Sequence, residues 1–131
     1  MSNSKTPAKA IVLKIEENSY EVKFPNNGQF INMEVKKSLL SNGQYDSLGF
    51  DTGYGSDARD FIDMICTFSV LCPQLLSDMN VKNFLDLDMI ETKKLYNQVY
   101  KKQFLPWYNQ WLKILRELDF EEESDGNNVV V

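Results

Sequence analysis

From position 11 the chain alternates between apolar and polar positions. Ile11, Leu13 and Ile15 fall on one side of a strand with Val12 and Lys14 on the other, and Tyr20, Val22 and Phe24 alternate likewise with Glu21 and Lys23. The "EENS" between the two runs supplies turn residues, so the stretch predicts a β-hairpin. Pro25 has no amide hydrogen to give to a ladder and is expected to end the second strand. A hairpin alone is marginal in water, which requires this one to pack on helices.

After Pro25 the apolar period lengthens to that of a helix. "NNGQFINMEVKKSLLSNG" predicts a first helix, capped by Asn26 or Asn27 and stopped at Asn42 and Gly43. Ile31, Val35 and Leu39 form its apolar stripe, widened by Phe30 and Leu40, with Lys36 and Lys37 expected on the far side. "GQYDSLGFDTGYGSD" is the least regular stretch and reads as a surface loop that offers Phe50 and Tyr54, with Tyr45, as contact residues.

Ser56 is expected to cap a second helix, "ARDFIDMICTFSVLC", with Asp57 and Asp60 in its first turn. Past Asp63 that helix is apolar nearly all round, which predicts the most buried element; Pro73 breaks it. "PQLLSDMNVKNFLDL" reads as a short helical turn and a connection, and Asp88 with Glu91 three positions on marks the start of the last helix near Met89. There Leu95 and Val99 lie beside Tyr96 and Tyr100, while Lys93, Lys94, Lys101 and Lys102 take the remaining arc.

"FLPWYNQW", from position 104, raises the main question about function. Pro106 either bends a continuous helix or opens a new one. Phe104, Tyr108, Trp111 and Leu115 recur at helical spacing as a core stripe, yet eight consecutive residues cannot all face one way. Trp and Tyr bring rigid area and a polar tip, the character of interface anchors. Trp107 and Trp111 are therefore the leading candidates for partner contact, followed by Tyr108, Tyr100, Phe50 and Tyr54.

These readings predict an α+β fold, mainly α: an N-terminal hairpin packed on three to four helices, the last kinked or broken at Pro106. The expected organisation is a flexible basic arm at 1–10, one globular domain at 11–118 and an acidic disordered tail at 119–131. The 131 residues suffice for a single core, and 43% hydrophobic with 25% charged residues is ordinary globular composition.

The net charge of −5 is unevenly spread, since 119–131 holds Asp119, Glu121, Glu122, Glu123 and Asp125 without a base, leaving 14 acidic and 14 basic residues in 1–118. Such asymmetry favours attraction to a charged neighbour, another copy included. No dense basic patch supports nucleic-acid binding. No apolar run approaches the roughly 20 residues of a membrane span, and the first ten residues lack the apolar centre of a secretion signal, so the cytosol is the expected compartment.

Candidate chemistry is sparse. The chain has no histidine, and Cys66 and Cys72 stand six apart on different faces of one helix, where they read as buried hydrophobes. The glycines of the irregular stretch match neither phosphate-loop pattern, and Asp78, Asp86 and Asp88 lack the glycine and distal glutamate of a calcium loop. No GxSxG elbow or activated nucleophile is present. The expectation is a protein without catalytic residues, cofactor or metal.

"YEVKFPNNGQFINMEVKKSLLSNGQY", "ARDFIDMICTFSVLCPQL" and "VYKKQFLPWYNQWLKIL" stand in an order that resembles small bacteriophage tail assembly chaperones over roughly residues 11–115. The resemblance implies a protein that binds the long tape-measure chain and keeps its helices apart until the tail tube polymerises. Exposed aromatic and apolar surface would be its working part, the charged termini would tune solubility or self-association, and a frameshifted longer form is common. The implied place is the host cytoplasm. Two further readings are a virion component, such as a head–tail connector or ring subunit retained in the particle, and a small adaptor or inhibitor of a host protein.

Overall fold

The structure, a computed structural model, describes residues 6–50 and 53–130, with side chains up to 120. The first five positions of the expected arm, Lys5 among them, and the acidic side chains from 121 onward lie outside that description. Strands β1 (Ala10–Ile15) and β2 (Asn18–Lys23) pair antiparallel with Leu13 opposite Tyr20 and Ile11 opposite Val22. Glu16, at φ 54°, takes the left-handed conformation in the tight connection, and Phe24 closes the ladder by donating its N–H to the Lys9 carbonyl. Leu13, Tyr20 and Val22 point into the core.

Helix α1 (Asn27–Leu40) begins with a capping box: the Asn26 side chain accepts from the Gln29 amide at 2.8 Å and the Gln29 side chain accepts from the Asn26 amide at 3.0 Å. It ends where Asn42 and Gly43 take φ of 55° and 77°, and Gly43 N–H reaches the Ser38 carbonyl. The irregular stretch contains one helical turn, α2 (Tyr45–Leu48). Helix α3 (Tyr54–Leu71) starts two residues before Ser56, with Gly53 as a cap that bonds through no side chain, so the expected Ser56 cap is not used.

Met64, Cys66, Thr67, Phe68 and Leu71 make α3 a central core element, and it ends ahead of Pro73. A short turn α4 (Leu75–Asp78) and a 3-10 turn (Phe84–Asp86) lead to α5 (Met89–Leu95), whose Asp88 cap accepts from the Glu91 amide at 2.7 Å.

From Met89 the backbone stays helical as far as Val130. It does not break at Pro106; instead the nine residues Tyr96–Phe104 wind as a π-helix before α6 (Leu105–Val130) resumes the α pitch. Leu105 N–H bonds to the Tyr100 carbonyl five residues back, so the bond that Pro106 cannot make falls where the ladder changes pitch. The wider turn also keeps aromatic rings four apart in one column: Tyr100 stacks on Phe104 at 5.3 Å and Phe104 on Tyr108 at 5.0 Å. α6 continues through 119–130, where the composition suggested a disordered tail; the glutamates there are good helix formers.

The hairpin lies across this long helix. Gln103 donates to the Lys14 carbonyl and accepts from the Lys14 amide, both at 2.8 Å, covering the free edge of β1 as a strand would. The architecture is the expected α+β, mainly helical arrangement of a hairpin on helices, around one cluster of buried side chains.

The "FLPWYNQW" stretch closes this core. Both indole N–H groups, of Trp107 at 2.7 Å and Trp111 at 2.9 Å, donate to the one carbonyl of Ala8. Phe24 packs against Trp107, Tyr108 and Trp111, and the Lys9 ammonium lies 4.8 Å from the Trp111 ring. Trp111→Ala is expected to cost about 3–5 kcal/mol in chemical denaturation, whereas Trp111→Phe, which keeps a smaller aromatic ring and leaves Ala8 its Trp107 donor, should cost less than half of that.

Candidate protein-binding surface

α1 packs the opposite way round from its apolar stripe. Met33 is its buried residue and Lys37, one turn on, also turns inward, while Ile31, Val35 and Leu39 face out at 59%, 48% and 75% exposure. Phe30 and Leu40, which widen the stripe, are exposed as well. The expectation that Ile31, Val35 and Leu39 face the core, with Lys37 on the far side, is therefore reversed.

The cause is a polar hub under the helix. Lys37 Nζ lies 2.8 Å from Asp63 Oδ1 and 2.9 Å from Glu34 Oε2. Tyr45 donates to Asp63 Oδ1 at 3.1 Å and Tyr100 donates to Oδ2 at 2.7 Å. Thr67 Oγ1 stands 3.4 Å from the Tyr100 hydroxyl, and the Arg59 guanidinium stacks on the Tyr45 ring at 4.6 Å. Burial alone would lower the Lys37 ammonium pKa, but Asp63 and Glu34 outweigh it and hold the group above its ordinary value. A lysine turned inward is tolerable only with such a partner, and α3 supplies one.

Beside the outward stripe, α1, α3 and the 3-10 turn enclose an open groove of about 340 Å3, lined by Leu39, Leu40, Ile65, Cys66 and Leu85 with Lys36 at the rim. Leu85 is itself exposed, so the apolar surface continues across the groove. A larger cleft, about 560 Å3, runs between the hairpin and α5, but its walls mix apolar side chains with charged ones and include the hydrogen-bonded Tyr20 and Asp78.

The six residues singled out from the sequence divide sharply. Trp107, Trp111, Tyr108 and Tyr100 are buried, with both indole N–H groups and the Tyr100 hydroxyl engaged inside the protein. Buried in this way, the four present little surface to a partner. Phe50 and Tyr54 are exposed at 88% and 89% and flank positions 51 and 52, which lie outside the described residues. The row that reasoning from the sequence missed as a surface is Ile31, Val35 and Leu39. A clue was available: Met33, Lys37 and Ser41 share the same spacing on the other side of α1, with Glu34 adjacent.

Comparison with known protein families, characterised proteins and solved structures finds nothing that matches this chain. Among the described residues, no group of three or more Cys, Asp or Glu side chains is placed to share a metal ion, and no helix is long and apolar enough to cross a membrane. Burial pushes the thiols of Cys66 and Cys72 up to about 11, away from the reactive thiolate form.

Two outcomes follow from the hub. Lys37→Ala leaves Asp63 short of its counter-charge and is expected to cost about 2–4 kcal/mol, most of it recovered in the Lys37→Met, Asp63→Asn pair, as read by urea denaturation. Burial also raises the phenols of Tyr96, to about 12 beside Asp60, and of Tyr100, which Asp63 raises further. The folded chain therefore keeps protons that the unfolded chain releases near 10. Stability should be insensitive to these groups below pH ~10 and fall as pH rises through about 10 to 12, with phenolate absorbance lagging behind that of the unfolded chain.

Proposed function

We propose that this chain is a non-catalytic protein-binding module whose α1 face receives an amphipathic helix of its partner. The observation that carries the reading is the outward row of Ile31, Val35 and Leu39 on a helix whose other side is fixed by the Lys37–Asp63 pair. Three large aliphatic side chains at i, i+4 and i+8, bordering an apolar groove, suit the helix-in-groove mode of recognition. Isolated exposed leucines are common, but a continuous row beside a groove is what a transient partner requires.

The partner class comes from the resemblance in element order: a long helical protein of tape-measure type in the cytoplasm of a phage-infected host, which makes the chain a tail assembly chaperone. In that role an apolar face that is rigid and accessible would shield the partner's helices until assembly. A virion connector or ring subunit and a host-directed adaptor use a protein-binding surface as well, and differ in where the chain ends up.

Val35→Glu and Leu39→Glu should each leave stability within about 0.5 kcal/mol, since both side chains already face solvent. Affinity for the partner captured from the native lysate should fall about 30-fold or more, as for loss of a hot-spot anchor. Unchanged capture by both variants sinks the α1 surface. Gradient sedimentation of the lysate, with mass spectrometry of each fraction, then separates the roles. Soluble fractions shared with a long helical protein support the chaperone; fixed stoichiometry in particles replaces it with a structural subunit.

A further inference from the structure

The helical run from 89 to 130 changes sign along its length. Between 89 and 118 it carries Lys93, Lys94, Lys101, Lys102, Lys113 and Arg116 against Glu91 and Glu117, whereas 119–130 carries five acidic residues and no base. All six basic side chains are exposed, and of these only Lys93 forms an ion pair among the described residues, with Asp57.

Each end also has bare apolar surface. Met89 and Ile90 are exposed at the head of the lysine face, three to five positions before Lys93 and Lys94. At the far end Leu115 and Leu118 continue the row of Phe104, Tyr108 and Trp111 that packs inward, yet both are exposed because α6 has run past the body; Phe120 is exposed beside them.

We propose that the acidic, apolar end of α6 in one copy docks on the lysine face of α5 and the π-helix in the next copy. Opposite signs beside matching apolar patches provide both steering and contact area. Lys93 leans toward α3, where it pairs with Asp57, and Lys94 borders the cleft beneath the hairpin, while Lys101 and Lys102 continue the basic row. The tail of one copy meets this row in the next, so the two halves of the contact are different surfaces. The contact is heterologous: it closes into a ring or grows into a filament. It is separate from the α1 face, so Val35→Glu should leave it intact.

The test is sedimentation velocity of the full chain across salt. Mass should exceed the 15.2 kDa of one chain in about 0.01 M salt and fall to that value in about 1 M, where screening shortens from ~30 Å to ~3 Å. The triple variant Lys94→Glu, Lys101→Glu, Lys102→Glu should be monomeric, as should Glu121→Lys, Glu122→Lys, Glu123→Lys, each with native circular dichroism. An equimolar mixture of the two should regain the assembly, because each supplies the sign that the other lost. A wild-type monomer at low salt, a triple variant that assembles like the wild type, or a mixture that stays monomeric each overturns the proposal.

Discussion

One carboxylate sets the arrangement of the helices. Asp63 of α3 pairs with the ammonium of Lys37 from α1 and accepts hydrogen bonds from the hydroxyls of Tyr45 of α2 and Tyr100 of the π-helix. Four elements therefore meet at two oxygen atoms, in a setting where an unpaired charge is costly. With Lys37 turned in, the geometry of a helix puts Ile31, Val35 and Leu39 on the opposite side. The apolar face offered to solvent follows from satisfying a charge beneath it. A core that placed Ile31, Val35 and Leu39 inside would have to send Lys37 out and leave Asp63 without its cation.

This trade explains where the sequence was readable and where it was not. The hairpin, the burial of α3 and the start of the last helix were legible because alternation, apolar continuity and the Asp88 cap are local, and the local preferences agree with the fold. The face of α1 was illegible for a different reason. Periodicity shows which residues share a side, but not which side wins when a salt bridge from an element 26 residues later in the chain, Asp63 against Lys37, competes with aliphatic burial.

The tryptophans were half legible. Their spacing marks a stripe, and an indole N–H that goes inside must find an acceptor. That acceptor is the carbonyl of Ala8, a backbone atom that no residue type announces. The π-helix had only Pro106 as a hint, and the proline sits just after it rather than at its centre. Of the three aromatics read as surface contacts, Phe50 and Tyr54 are exposed, whereas Tyr45 turns in to donate to Asp63.

The closure at Ala8 bears on the order in which the chain can fold. A ribosome makes the hairpin well before the residues that cover it: Gln103 follows Lys14 by 89 positions and Trp111 follows Ala8 by 103. At about 5–20 residues per second, the inner face of the hairpin waits on the order of 5–20 s for its cover. During that interval the hairpin lacks the long helix that covers it, Tyr20 finds its partner Asp78 only 58 positions on, and α1 emerges before Asp63 exists to receive Lys37. The nascent chain is thus sticky on the surface that will become its interior, and its native packing is completed only once Trp111 has been made.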